Sequence, residues 1–370
     1  MAGTRAAQSS WWIALKAILL FVLTLLALLG LLVLVSATDS FRPLLLVAVV
    51  ALVIGAIWAG VGRLVRRGRA GARPFWRSWL SASGVVGLLA LALLAVPLLV
   101  VITINATRPL AVPRVTLTDG EREVVFQGMI HIGSAPYYQA VAFDMTQAAD
   151  LGYVLFFEGV RAGAPENVQR MNEILGTNGV NLNQVYDAFA QQCGLHFQNE
   201  YFGVFYDDMA SNPDQFVNAD VSVDDMMAEW DRLLQEHPEW SAAQINERPE
   251  EEVDNRLDSM MGRLNSLTPG QQRLTQLACQ TVLNVNLGQL GGEKPPFNEN
   301  VVVDFRNRNL AEMIMQHPAE RLYITYGYDH FRGVYKLLTE ANPNWRIADV
   351  EWRQAIDNAT ELERELQLEN

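Results

Sequence analysis

The sequence is poor in the residues that build small zinc-bound or disulfide-rich domains. It has two cysteines, Cys193 and Cys279, and five histidines among 370 residues. These residues do not show the spacing of a zinc finger, and two cysteines cannot supply a disulfide framework. In an oxidising compartment the two cysteines could pair, and elsewhere they would remain thiols. The residue pattern leaves both alternatives open.

Acidic residues are nearly absent from the first 110 positions. Of the 28 basic and 41 acidic residues, ten bases and one acid, Asp39, precede Leu110, which leaves 18 bases and 40 acids to the rest of the chain. This change in composition indicates two physically different parts, residues 1–110 and 111–370. The acidity of the second part argues against a nucleic-acid partner, because a phosphate backbone is bound by basic surfaces.

Three long apolar runs lie in the first part, at residues 17–35, 43–61 and 85–104. Each is close to the ~20 residues with which a helix crosses the hydrocarbon core of a bilayer. Tryptophans stand at the ends of the runs, where amphipathic rings favour the headgroup layer. The runs therefore predict three transmembrane helices and a lipid bilayer as partner. The first run is too long for the apolar core of a typical signal peptide.

The arginines of the first part predict its orientation in the membrane. The loop between the second and third runs holds six arginines, whereas the loop between the first and second holds only Asp39 and Arg42. The positive-inside rule places the arginine-rich loop and the N-terminus in the cytoplasm. Residues 111–370 are then expected on the opposite side, which is the periplasm or the exterior if the host is a bacterium.

The second part opens with a strand–helix–strand pattern. Residues 124–132 and 153–157 are short apolar runs typical of buried strands. Between them, Ser134 and the proline two positions later mark the start of a helix, which is expected to end at Gly152. A strand, a helix and a further strand make the unit of a parallel sheet covered by helices.

The remaining signals complete the predicted fold. A helix over 309–316, a strand over 321–326 and a helix over 331–338 follow a long region, 166–298, whose apolar positions recur at helical spacing. We therefore predict an α/β domain with a mixed or mostly parallel sheet, flanked by helices and interrupted by a helical middle insertion. A charged segment around 359–366 predicts a last helix.

Two similar motifs follow predicted strands. Gly128-Met129-Ile130-His131 and Gly327-Tyr328-Asp329-His330 both have the form Gly-x-x-His. Glu158 directly follows the strand at 153–157, and a carboxylate in that position is costly to bury unless it is paired or bound. Ligand sites of open α/β sheets lie at the carboxyl ends of the strands. We therefore expect the two histidines and Glu158 to meet there, with the strands of His131 and Glu158 as neighbours.

Two imidazoles and one carboxylate support two kinds of chemistry. They suit a divalent metal that keeps open positions for water. They also suit general acid–base work without a metal. The glycines of the motifs, Gly128 and Gly327, would let the backbone turn sharply or approach a ligand closely.

The order of the motifs resembles the TraB/GumN/TIKI family, which is related to erythromycin-esterase-like and ChaN-like proteins. That family has a Gly-x-x-His near its start, a glutamate after the next strand, an Arg-Asn or Arg-Asp motif that opens a helix, and a second Gly-x-x-His near its end. The resemblance rests on four stretches and covers residues 124–338: Gly128 to Ser134, Phe157-Glu158, Arg306 to Ala311, and Gly327 to Gly333. Phe305 departs from it, since many relatives have an acid before the arginine.

The resemblance implies a set of roles. His131, Glu158 and His330 would be metal ligands and, with Arg306, the catalytic residues. Separately from the resemblance, Gly128, Gly327 and Asp329 are predicted to contribute to cofactor binding, although Asp329 makes the second motif more acidic than is usual in the family. TIKI-like members of the family are regarded as metal-dependent proteases that act outside the cell. The leading expectation is thus a membrane-tethered, metal-dependent hydrolase of a peptide or amide bond on the non-cytoplasmic side.

A second hypothesis needs no chemistry. The same rim could capture a peptide, a haem or another small molecule and make the chain a binding or regulatory membrane protein. Turnover of a substrate would distinguish the first hypothesis from the second.

Overall fold

The computed structural model describes residues 2–38, 40–65, 74–175, 182–243, 262, 266–286 and 295–356. The chain divides into two compact units, the first formed by Met1–Thr107 with Leu264–Thr281 and the second by Arg108–Arg263 with Val282–Asn370. The division predicted from composition differs from this one in the segment Leu264–Thr281. Neither cysteine is a free thiol, since both Cys193 and Cys279 are disulfide-bonded.

The first unit contains three long apolar helices: α1 (Ala2–Thr38), α2 (Arg42–Val65) and α3 (Phe75–Thr107). All three are long and apolar enough to cross a membrane, with mean hydropathies of 3.3, 2.8 and 3.1 over their candidate spans. Small residues pack where the helices approach each other. A Cβ on Gly55 would clash with the side chain and backbone of Ser83. Close packing through small side chains is typical of membrane helices, and the three helices indicate association with a membrane.

A six-stranded mixed sheet forms the centre of the second unit, in the order β6-β4-β7-β2-β1-β8. The strands β6, β4, β7 and β2 are parallel, and β1 pairs antiparallel with both β2 and β8, so that β8 has the direction of the four parallel strands. Their bounds are Ala111–Thr118 for β1, Glu123–Met129 for β2, Val154–Phe157 for β4, Phe216–Asn218 for β6, Arg321–Gly327 for β7 and Arg346–Gln354 for β8. A separate two-stranded sheet pairs β3 (Ile132–Gly133) with β5 (His196–Phe197).

The described residues that follow Thr107 also form helices. They are α4 (Ala135–Asp150), α5 (Pro165–Leu175), α6 (Leu182–Cys193), α7 (Asn199–Phe202), α8 (Tyr206–Ser211), α9 (Val223–Glu236), α10 (Pro269–Asn286), α11 (Arg306–Gln316) and α12 (Phe331–Ala341). Three short 3₁₀ turns cover Gly203–Phe205, Pro238–Ala243 and Tyr328–His330, and a π-helix covers Asn298–Phe305. Helix α10 contributes residues to both units.

Two apolar cores hold the second unit together. In the first, one face of the sheet, with Val115, Leu117 and Phe126, packs against Leu310 of α11 and Leu338 of α12. In the second, the buried side of α9 packs with residues at the start of the π-helix; its members include Met226, Met227, Trp230, Phe297 and Val301. The methionines and the tryptophan of α9 are therefore core residues.

The predicted strand–helix–strand pattern is present. Strands β2, β4 and β7 and helices α4, α11 and α12 form where the apolar runs and turn residues predict them. Ser134 precedes α4 in an extended conformation, and Gly152 follows it with a φ of +78°. The predicted mixed or mostly parallel sheet flanked by helices agrees with this architecture.

Parts of the prediction differ from the structure. Strands β1 and β8 were not predicted. The predicted helical insertion, residues 166–298, is mainly helical where it is described, but it also supplies β5 and β6. Such short strands depend on a partner strand elsewhere in the chain, because the three-residue β6 is a strand only by pairing with β4. The predicted last helix around 359–366 lies outside the described residues.

Candidate functional site

The carboxyl ends of the four parallel strands carry the candidate site. His131 lies two residues beyond β2, Glu158 directly follows β4, and Tyr328–His330 form the turn that leaves β7. Asp220 lies two residues beyond β6. One prediction about this edge is wrong: the strands of His131 and Glu158 are not neighbours, because β7 lies between β2 and β4. The central strand is therefore the one that leads to His330.

Arg306 joins two of these strand ends. Its Nη2 lies 2.6 Å from Oε1 of Glu158 and 2.6 Å from Oδ2 of Asp220, while its Nε donates to Oδ1 of Asp220 at 2.8 Å. Arg306 is the first residue of α11, which places its side chain at the sheet edge. The side chain is 6% exposed, against 0% for Asp220 and 20% for Glu158. One buried guanidinium thus neutralises much of the charge of two carboxylates.

Both carboxylates accept further hydrogen bonds. Asp220 accepts from the hydroxyl of Tyr326 at 2.9 Å and from the backbone N–H groups of Val221 and Gly159 at 2.9 and 3.1 Å. Oε2 of Glu158 accepts from the backbone N–H of Gly327 at 2.7 Å. Each oxygen of both groups is therefore paired, as a charge removed from water requires.

These contacts decide the ionisation of the network. Burial opposes the charge of Glu158, but the positive charge of Arg306 and its hydrogen bond outweigh burial and lower the Glu158 pKa. Burial also opposes the charge of Asp220, and the hydrogen bond and charge of Arg306 again lower the pKa below its ordinary value. The pKa of Arg306 is raised despite its burial, because Asp220 and Glu158 stabilise the cation. All three groups are ionised at neutral pH.

His330 is buried beside this network and is neutral. Its Nδ1 lies 2.8 Å from the amide oxygen of Asn307, which can only accept, so Nδ1 carries the proton and the lone pair is on Nε2. The ring meets the ring of Tyr326 edge to face at 4.8 Å. Burial, followed by the charge of Arg306, lowers the pKa of His330 to about 4.

His131 occupies a more open position. It is exposed, and its ring stacks on Tyr186 at 4.7 Å between centroids. The amide nitrogen of Gln198 donates to its Nδ1 at 3.1 Å, so the neutral ring carries its proton on Nε2. Partial desolvation by the surrounding protein lowers the pKa of His131; Glu158 opposes that shift and Arg306 adds to it. Glu158 and Arg306 thus act electrostatically on both histidines.

The two motif glycines lie where a side chain would meet neighbouring atoms of the site, and Asp329 acts on the adjacent Tyr328. A Cβ on Gly327 would lie 3.3 Å from Cδ2 of His330 and 3.4 Å from Oε2 of Glu158. A Cβ on Gly128 would lie 2.8 Å from Cβ of Tyr328, so this glycine permits close packing of strand and turn. Burial and the neighbouring Asp329 raise the pKa of Tyr328 to about 12.

The predicted metal ligands do not fit a shared metal as they are arranged. His330 offers a lone pair on Nε2, but both oxygens of Glu158 are engaged, one of them by a guanidinium. The acceptor nitrogen of His131 is occupied by the Gln198 amide. Within the part of the chain that the structure describes, no group of three or more His, Cys, Asp or Glu side chains could hold a metal ion. No chemical step is therefore assigned to a metal.

Sequence reasoning missed several residues of this site. Asp220 follows a short apolar strand as Glu158 does, and this shared signal would have revealed it if β6 had been predicted. Asn307 stands beside Arg306 in a motif that was noted only for the arginine. Tyr186 and Gln198 come from the predicted helical region and carry no local signal, because only the tertiary fold brings them to His131.

Comparisons with protein families, with curated proteins and with solved structures find no match to this chain.

Proposed function

We propose that the chain is a membrane-anchored hydrolase that cleaves a peptide or amide bond at the carboxyl edge of its parallel strands. The observation that carries the proposal is the buried Arg306, which bridges Glu158 and Asp220 beside two neutral histidines. Ionisable side chains with strongly shifted pKa values concentrate at functional sites. The order of the motifs, which resembles the TraB/GumN/TIKI family, supports the choice of a peptide or amide bond.

The proposed reaction uses the two histidines in different roles. Nε2 of His330 takes a proton from the attacking water, and the charge of Glu158 stabilises the imidazolium that forms. The Nε2–H of His131 donates to the carbonyl oxygen as it gains negative charge. The water oxygen bonds to the carbonyl carbon, the carbon–nitrogen bond breaks, and His330 returns its proton to the leaving amine.

Arg306 supplies the positive charge of this mechanism. It keeps Glu158 and Asp220 ionised and fixes their positions. No step of the proposed reaction passes through a metal. The low pKa of His330 leaves its lone pair available at neutral pH, although it also makes the imidazole a weak base. Because the metal-free reaction relies on this weak base, the divalent metal predicted from the sequence is tested directly below.

A binding role is the second candidate function, and an aromatic stack favours it. Tyr186 stacks on His131 at 4.7 Å and on Phe197 at 5.7 Å, and the ring planes of these pairs are inclined by only 27° and 26°. Stacked rings beside an exposed histidine are suited to a planar or aromatic ligand, such as a haem or a peptide side chain. Capture of such a ligand without turnover would favour this role.

We further propose that the second unit faces away from the cytoplasm, in the periplasm or outside the cell. The arginine-rich loop between α2 and α3 supports this orientation through the positive-inside rule. The disulfide-bonded state of Cys193 and Cys279 agrees with it, because disulfides persist in oxidising compartments.

The proposal is tested with the full chain in detergent. We expect cleavage of a peptide library, with His330→Gln lowering kcat about 10²–10⁴-fold, as the loss of a general base does. His237→Gln is the matched control, because His237 pairs with Glu239 at the end of α9 that is opposite to Asp220. Mass spectrometry of the products measures turnover, and a His330→Gln variant with an undiminished rate would refute the mechanism.

The same sample tests the predicted metal. Because Arg306 engages Glu158, we expect substoichiometric metal by elemental analysis and unchanged turnover in the presence of a chelator. One tightly bound metal per chain, lost together with activity, would instead support the metal-dependent reaction predicted from the sequence.

A further inference from the structure

Strand β8 forms one edge of the six-stranded sheet. It has nine residues, and all of them except Arg353 are exposed. Its inner side pairs with β1, and among the described residues no strand pairs with its outer side. A long exposed edge strand presents a row of unpaired backbone N–H and C=O groups, which another strand can pair with.

A β-bulge gathers the apolar residues of β8 on one face. Thr116 of β1 stands opposite Asp349, but the next residue, Leu117, stands opposite Ile347, so that Ala348 is the extra residue. The bulge brings Ile347 to the same face as Val350 and Trp352. These three residues, here called the apolar strip, are 43%, 40% and 69% exposed.

The apolar strip continues a buried core. Ile347 and Val350 stand opposite Leu117 and Val115, and both of those residues belong to the core that α11 and α12 cover. The strip thus extends the apolar sheet face onto the edge strand β8. Natural edge strands usually avoid such a combination, because it promotes pairing between chains.

The charges of β8 complement those of a second β8. If two copies run antiparallel with Glu351 at the two-fold axis, Asp349 of each copy stands opposite Arg353 of the other, and Val350 opposite Trp352. Arg353 also pairs with Asp144 and Glu351 of its own chain. The charged pairs fall on one face and the apolar pairs on the other, since opposed residues share a face. The two Glu351 side chains would meet at the axis, but each accepts a hydrogen bond from Arg114 of its own chain at 2.8 Å.

We propose that β8 pairs with β8 of a second copy of this chain around Glu351, which joins the two sheets into one. A second β8 strand would pair with the exposed backbone groups of β8 and cover the apolar strip at the same time. An interface formed by one strand from each copy is small, and it is expected to be weak in free solution. Confinement to a membrane raises the effective concentration of the copies and favours the pairing.

Disulfide trapping tests this register in the full chain, held in membranes or detergent. Cβ atoms of directly opposed residues lie about 4.5–5.5 Å apart, so Glu351→Cys should form a disulfide-linked dimer on mild oxidation. Arg346→Cys is the matched control on the same strand. Its copies would stand ten residues apart along the strand, about 34 Å, and should not be linked. The native cysteines do not compete, because both are disulfide-bonded.

A second variant tests the contacts themselves. Asp349→Arg places like charges opposite each other and should reduce the dimer fraction at least tenfold, measured as mass in detergent, without a change in thermal midpoint. A native chain that is monomeric and an unlinked Glu351→Cys variant would overturn the proposal. So would equal linkage at positions 346 and 351, or an edge that binds extended peptides but not its own copy. None of these results depends on hydrolysis, so failure here is separate from failure of the proposed function.

Discussion

At the scale of single residues, His330 shows how burial sets the chemistry of the site. Its pKa of about 4 results from burial and from Arg306, whereas an unfolded chain has the ordinary histidine value of about 6.5. Between these two values the unfolded chain binds more protons than the folded one, so the free energy of unfolding rises with pH. Acidification therefore destabilises the fold through this residue.

The predicted size of this effect is measurable. From pH 7.5 to pH 5 the His330 imidazole alone should remove about 2 kcal/mol from the free energy of unfolding. Denaturant unfolding gives the pH dependence of the free energy of unfolding for the native chain and for His330→Gln. The difference between the two dependences isolates the contribution of His330, because the contributions of the carboxylates are common to both chains and cancel. An unchanged dependence in His330→Gln would mean that the ring is accessible to protons in the folded state.

Residue types and local spacing predicted only part of the site. His131, Glu158 and His330 stand out because each follows an apolar strand, and Arg306 because it belongs to a recognisable motif. The pairing of Arg306 with Glu158 could not be predicted from these signals. A carboxylate and two imidazoles suggest a metal, but the contact of Arg306 with Glu158 exists only once α11 meets the end of β4.

At the scale of elements, α9 is an example of a helix whose start is written in the sequence. The hydroxyl of Ser222 accepts from the backbone N–H of Asp225 at 3.1 Å, and the carboxylate of Asp225 accepts from the backbone N–H of Ser222 at 2.9 Å. This reciprocal pair is a capping box, and it orients the helix that buries Trp230.

Removal of this cap should weaken the second unit. Ser222→Ala is expected to lower the free energy of unfolding by about 1 kcal/mol, because backbone N–H groups at the start of α9 lose their acceptor. Ser222→Thr keeps a hydroxyl and should cost much less. Denaturant unfolding followed by the tryptophan fluorescence of the chain measures both, and equal losses in the two variants would contradict the role of the hydroxyl.

The strands show which elements are readable in a sequence. Strands β2, β4 and β7 are buried apolar runs and were predicted within a few residues. Strand β8 is charged and exposed, and its bulge breaks the alternation that would identify it. Strand β6 has only three residues. Edge strands such as these obtain their structure from a partner strand rather than from their own periodicity.

At the scale of the whole molecule, the predicted membrane orientation has a direct test. A membrane-impermeant maleimide added to intact cells should label Ser40→Cys and Asp349→Cys but not Gly71→Cys, which lies in the arginine-rich loop. The native cysteines are disulfide-bonded and should remain unlabelled. Replacing a glycine leaves the loop charge unchanged. Labelling at position 71 alone would place the second unit in the cytoplasm.

The sequence by itself determined the apolar helices, the acidic second part and the central strands, because composition and hydrophobic periodicity are properties of contiguous residues. The strand order, the meeting of Arg306 with Asp220 and Glu158, and the protonation pattern of both histidines were decided by the tertiary structure. Residues 158, 220 and 306 are far apart along the chain. Their mutual distances, and therefore the charge that each one carries, depend on how the strands assemble.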